Sequence, residues 1–198
     1  MKWISIGQTC IPRFNIEHFI SSDEPTHIFD WMISNFGTVL SILQLPRDED
    51  ALRTFFSKLT KDDLFYIDPF YSEHEKIEHT DEVFVSIHDL DESDELSKLT
   101  DRLVRRFLRL IEYIKNNDIV FVWFEDKAFF NSKHIARQVL PTPALIERFF
   151  SVVESIGSNT YSLILVPQTP LPSIQHDQVL VYPTTDYARE CEPDTDEH

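Results

Sequence analysis

The chain has 198 residues, with 34 acidic against 18 basic side chains and a formal charge of −16. That length suits one domain with a sizeable core. The acidity argues against nucleic acid or an anionic membrane as partner, and no apolar run has the length of a membrane helix. The first residues lack the basic-then-apolar pattern of a secretion signal. The cysteines, Cys10 and Cys191, are too few and too far apart for a disulfide framework. These features together lead to the expectation of a soluble, cytoplasmic protein.

In chain order, Lys2–Ile6 predicts a strand that ends at Gly7, and Pro12–Ile20 predicts a helix with Pro12 suited to its first position. Thr26–Phe29 predicts a second strand, and Phe36–Leu45 and Glu49–Leu59 predict helices. The second of these carries Leu52, Phe55, Phe56 and Leu59 at helical spacing. Residues 60–80 read as a charged excursion or lid. Glu82–Ile87 predicts a third strand and Asp94–Asn116 a long helix. Ile119–Phe124 and Tyr161–Val166 are nearly all apolar, as buried parallel strands are. Between them, Pro143–Ile156 predicts a helix ended by Gly157, and Val179–Tyr182 closes the series as a sixth strand. Alternation of this kind predicts a three-layer α/β domain over residues 1–183, with a mostly parallel central sheet of five to six strands and helices on both faces. Residues 184–198 read as a disordered acidic tail.

In a parallel sheet, residues just past the strand ends gather on one edge, where ligands bind. Cys10 follows the first predicted strand, Asp30 the second, and His88 with Asp89 the third. A thiol before a helix N-terminus meets free N–H groups and the positive end of the helix dipole, both of which favour the thiolate. Cys10, His88 and an aspartate are therefore a candidate nucleophile, base and orienting acid. The Gln8 amide is a candidate donor to an oxyanion. The plainer alternatives are a small buried cysteine, a His-Asp turn, and Asp30 capping the helix that starts near Phe36.

The segments Ser5-Ile6-Gly7…Cys10, Phe29-Asp30-Trp31-Met32-Ile33-Ser34 and His88-Asp89, followed by the arginine-rich Arg102–Leu110 and the apolar Ile119–Val122, have a familiar order. They resemble a family of poorly characterised proteins labelled papain-like cysteine peptidases, over about residues 3–125. That family reads S-L-G-x-x-C, then P-F-D-W-hydrophobic-x-S, then a His-Asp step. The resemblance implies Cys10 as nucleophile, His88 as base and Asp30 or Asp89 as orienting acid, with α+β papain-like architecture as the alternative fold. This chain departs from the pattern at His27-Ile28, where the family tends to have a proline before the phenylalanine. It departs again at Trp123, where an arginine often ends the strand.

Arg102, Arg105, Arg106 and Arg109 form one stripe of the long helix, beside an apolar face of Leu99, Leu103, Phe107 and Leu110. The stripe is either a solvated, ion-paired face or an anion site for phosphate, nucleotide sugar or carboxylate. At least one of its arginines is expected to pair with a distant carboxylate such as Asp30, Asp63, Asp68 or Asp126. No metal site is expected. His27, Asp30, His74, His79, His88, His176 and Asp177 lack ligand spacing, and Asp89–Asp94 fails as a calcium loop for want of its glycine. Three glycines leave no phosphate-cradling or dinucleotide loop, so no cofactor is expected either. The leading expectation is a cysteine-dependent hydrolase or acyl-transferase acting on a peptide, amide or ester. The alternatives are a non-catalytic module, or a carbohydrate-processing protein, that recognises an anionic glycan, nucleotide sugar or protein segment.

Overall fold

The computed structural model describes residues 1–7, 11–20, 25–30, 32–57, 84–86, 96–126, 140–157 and 159–184. Strand β1 (Lys2–Ser5) leads to helix α1 (Ile11–Phe19), then β2 (Met32–Ser34), α2 (Phe36–Leu43) and α3 (Glu49–Phe56). After β3 (Phe84–Ser86) come α4 (Leu96–Asn116), β4 (Ile119–Phe124), α5 (Pro143–Ile156), β5 (Tyr161–Val166) and β6 (Val179–Val181). The fold is mixed α/β. Its main sheet has four strands, in the order β1-β4-β5-β6, and every pairing is parallel.

β4 is the centre of that sheet because its six residues are all apolar and all but Val122 are buried. Its register aligns Ile119 with Lys2 on one side and Tyr161 on the other, and Val122 with Ser5 and Ile164. Ile119, Phe121 and Trp123 share one face, by the two-residue period of a strand. Onto that face packs α5, whose Phe149 ring lies 5.0 Å from Phe121 and 5.7 Å from Phe36 of α2. Phe36 in turn meets Trp123 edge-on at 6.4 Å. In β5, Tyr161, Leu163 and Leu165 are buried while the residues between them are half-buried, so the core lies on the α5 side. α4 packs against α3 and α5, burying Leu99, Leu103, Phe107, Leu110 and Ile114.

The caps explain where helices begin. The Asn35 side chain accepts from the Thr38 N–H at 2.8 Å, Asp48 from Ala51 at 2.9 Å, and Thr142 from Leu145 at 3.3 Å. Gly157 ends α5 where the chain passes close to α4. A Cβ there would stand 3.1 Å from the Lys115 Cα, so any larger residue would require the α4 backbone to give by a few tenths of an ångström.

Two expectations are corrected here. Thr26–Phe29 is not a strand: residues 25–27 are irregular and Ile28–Asp30 form a turn, and the strand comes later, at Met32–Ser34. That strand and β3 also stay outside the central sheet. They pair antiparallel with each other as a separate two-stranded ribbon, so the parallel sheet has four strands among the described residues and not five to six. Residues 60–80 and the tail from 185 lie outside the described residues, and so does Leu59.

The core account makes a stability prediction. Phe149→Ala should lower the free energy of unfolding by about 3–5 kcal/mol, through lost burial and the cavity left among the rings of Phe36, Phe121 and Phe150. Gly157→Ala should lower it by about 1–3 kcal/mol, through overpacking against the α4 backbone. Urea denaturation of both variants checks this.

Candidate functional site

The carboxyl edge of the sheet is built first by β1. Beyond Ser5, the Ile6 N–H still donates to the Val122 carbonyl at 2.9 Å, so Gly7 is carried to the rim of the sheet. There the Gly7 carbonyl accepts a buried hydrogen bond from Ser34 Oγ at 3.2 Å. Ser34 is the last residue of β2, and its neighbour Asn35 caps α2. One bond thus joins two of the stretches singled out in the sequence, Ser5-Ile6-Gly7 and Phe29…Ser34. Gln8, Cys10, His88 and Asp89 lie outside the described residues. Cys10 directly precedes Ile11, the first residue of α1.

The reason given for bringing His88 to this edge is also corrected. It supposed that Glu82–Ile87 runs parallel in the main sheet, whereas β3 is antiparallel to β2 in the ribbon. The ribbon register relates the segments differently. Ser86, two residues before His88, pairs with Met32, two residues after Asp30.

Asp30 is wholly buried in a polar cluster. Its Oδ2 accepts from the His27 N–H at 2.6 Å, and its own N–H donates to the His27 carbonyl at 3.3 Å. The Arg13 guanidinium of α1 lies 3.6 Å from the same Oδ2. Arg13 also donates to the Pro25 carbonyl at 3.4 Å and, through Nε, to Glu17 at 2.8 Å. From α4, Arg109 donates to the Thr26 carbonyl at 3.0 Å, and the Tyr113 ring packs 4.7 Å from that of His27. The orienting carboxylate expected at the sheet edge is therefore engaged within a turn. Nor does it cap α2, since Asn35 does so.

Burial sets the titration of both groups in the turn. Desolvation lifts Asp30 to about 7, although Arg13, the His27 N–H and Arg106 favour its charged form. Desolvation, reinforced by Arg13 and Arg109, lowers His27 to about 3, so its ring is neutral at physiological pH. Both ring nitrogens of His27 and Oδ1 of Asp30 are buried without a hydrogen-bond partner among the described residues.

The arginine stripe divides. Arg109 is turned onto the 25–30 segment, and the Arg106 charge bears on Asp30. Arg102 is half-buried and Arg105 exposed. An arginine from α1, Arg13, lies 3.6 Å from Asp30 and also pairs with Glu17. Trp123 is a core side chain.

At the neighbouring strand ends, the buried Glu125 carboxylate follows β4. It accepts from the backbone N–H groups of Gln168 and Thr169 at 2.7 and 2.6 Å, and from the Thr169 hydroxyl at 2.6 Å. This pins the segment after β5, which borders an apolar groove of about 440 Å³ lined by Pro167, Leu171, Ile174, Val181 and Pro183. Sequence reasoning missed both Arg13 and Glu125. Each had a signal: a cation in the first helical turn, against the helix dipole, and a carboxylate ending an otherwise apolar strand. No group of three or more potential metal ligands gathers among the described residues, and none of the described helices is long and apolar enough to cross a membrane. Comparison with family models, curated proteins and solved structures finds no match.

The two shifted groups make opposing contributions to stability. A raised Asp30 favours the folded state most below its ordinary range near 3.8, and that contribution fades as pH rises to about 7. A lowered His27 favours folding above its ordinary value of 6.5, and its contribution fades as pH falls toward about 3. Between these limits the slopes offset each other. Asp30→Asn should therefore steepen the loss of melting temperature on acidification below pH 6.5, whereas His27→Phe should expose a fall as pH rises from 4 to 7. Thermal melts across this range read both slopes; parallel curves for all three proteins would contradict the assignment.

Proposed function

We propose that the protein is a cysteine-dependent hydrolase or acyl-transferase with Cys10 as its nucleophile. The observation that carries this reading is the Ser34–Gly7 hydrogen bond. It ties the stretch leading to Cys10 and the stretch Phe29–Ser34 together at the carboxyl edge of a parallel sheet, just before a helix N-terminus. That is where a thiolate is favoured and where substrates of α/β proteins bind. The same reading takes the sheet as the middle of three layers, with α1, which touches β1 and β4, on the face that α2 and α5 leave.

In this mechanism His88 takes the thiol proton and the Cys10 thiolate attacks the substrate carbonyl carbon. The Gln8 amide and the Cys10 N–H receive the oxyanion. As the bond to the leaving amine or alkoxide breaks, His88 returns the proton to it, leaving a thioester on Cys10. Water, or an acceptor amine or alcohol, then loses a proton to His88 and attacks the thioester, and that proton goes back to the thiol. Asp89 orients the imidazole, because the bonds of Asp30 commit it to the turn beneath. The substrate class is a peptide, or a small ester or amide.

Iodoacetamide labelling of Cys10 against pH, with the site located by peptide mass mapping, tests this proposal. A rate midpoint well below the free-thiol value of about 8.5 is expected. A midpoint at that value, or slow labelling at every pH, would sink it and favour a binding module with an inert cysteine.

A further inference from the structure

We propose that Arg13, paired with Asp30, is the positioning residue of the nucleophile segment: the pair locks the first turn of α1, which Cys10 immediately precedes, onto the segment 25–30. The thiol's role in this inference rests on the hydrolase reading; the locking of α1 does not.

Arg13 is the third residue of α1 and only 2% exposed. Two general costs oppose a cation there. The first turn of a helix repels positive charge, and a buried guanidinium loses its hydration. Packing alone would be met by an apolar side chain of the same length. What an arginine adds is a rigid fork with several donors, and here the fork spans two segments. Its Nε bonds Glu17 within α1, while Nη1 reaches the Pro25 carbonyl and lies 3.6 Å from Asp30.

The turn it grips is itself held from the opposite side. Arg109 of α4 bonds the Thr26 carbonyl, and Tyr113 of α4 packs on His27. The charged and titratable groups facing the pair are thus Glu17 from α1, His27 from the turn, and Arg106, Arg109 and Tyr113 from α4. The result is a continuous polar seam from α4 through the turn to the first turn of α1. β2 begins two residues after Asp30, and its Ser34 bonds Gly7, so the same seam continues to the end of the stretch that leads from β1. Asp30 acts here through Arg13, which gives this buried carboxylate a use at the site without contact with substrate.

The test uses the full chain and the variants Arg13→Met, Arg13→Lys and Asp30→Asn. Two signals are read: hydrogen exchange at the amides of Asn15, Ile16 and Glu17, which bond back to first-turn carbonyls, and the pH midpoint of Cys10 alkylation. Protection of the β4 amides and far-UV circular dichroism certify folding. Should Arg13→Met fail to fold, the other two variants carry the test.

The inference expects these amides to exchange at least tenfold faster, relative to β4, in every folded variant. It also expects the alkylation midpoint to rise by about one pH unit or more, the scale of a lost specific electrostatic arrangement. Arg13→Lys keeps the charge and loses the fork, so it should behave like Arg13→Met. If Arg13→Lys matches wild type in both signals, or if Asp30→Asn lowers the midpoint, the charge of Arg13 acts without the lock and the inference is overturned. If exchange is unchanged in all variants while the wild-type thiol is activated, the inference fails and the hydrolase reading stands. If exchange quickens while the wild-type thiol titrates as a free one, the hydrolase reading fails and the lock on α1 stands.

Discussion

The arrangement depends first on the parallel pairing of β4 with β1 on one side and β5 on the other. Because all six β4 residues are apolar, the strand is stable only when flanked and covered. Parallel neighbours place their carboxyl ends together. Gly7 beyond β1, Glu125 beyond β4 and Gln168–Thr169 beyond β5 are therefore brought to one edge by backbone pairing alone. The side chains there then join the segments, Ser34 to Gly7 and Glu125 to the stretch after β5. Position on this edge comes from the sheet, and orientation comes from these buried bonds.

Beneath the edge lies a second, electrostatic constraint. The turn 25–30 buries a histidine and an aspartate that a helix or strand interior would rarely accommodate. It is stable because guanidinium groups from two helices converge on it. Burial drives the two titratable groups toward their neutral forms, in opposite directions on the pH scale. Such a turn transmits the placement of α4 to α1. This makes the stripe on α4 part of the scaffold at Arg109 and Arg106, whereas Arg105 faces solvent.

Legibility in the sequence followed the range of the interactions. β4, β5 and α5 were readable to the residue because their signals are local: continuous apolar runs, Thr142 before Pro143, and Gly157 after Ile156. α2 and α3 start at the expected residues, Phe36 and Glu49, but their caps are Asn35 and Asp48 and not the Asp30 offered as a cap for the first of them. Thr26–Phe29 imitates a strand through the short apolar pair Ile28-Phe29, while what holds the stretch is Arg109 on Thr26 and Arg13 on the flanking Pro25 and Asp30, far off in the chain. The role of Arg13 was invisible on the same ground: Pro25 and Asp30 lie twelve and seventeen residues away, across a segment with no pattern of its own. Of the candidate site, Gln8, Cys10, His88 and Asp89 lie outside the described residues, and Asp30 is held within a turn by bonds of longer range. The antiparallel pairing of β2 with β3 has no local signal in the sequence, because the two strands lie about fifty residues apart.

The central claim is that Cys10 and His88 form one interacting unit at the carboxyl edge. Its most direct measurement is the titration of the His88 imidazole by nuclear magnetic resonance, in wild type and in Cys10→Ala. A thiolate beside the ring holds the imidazolium, so wild-type His88 should titrate about one unit or more above its Cys10→Ala counterpart, which should return toward about 6.5. Identical His88 titrations in the two proteins would contradict the account.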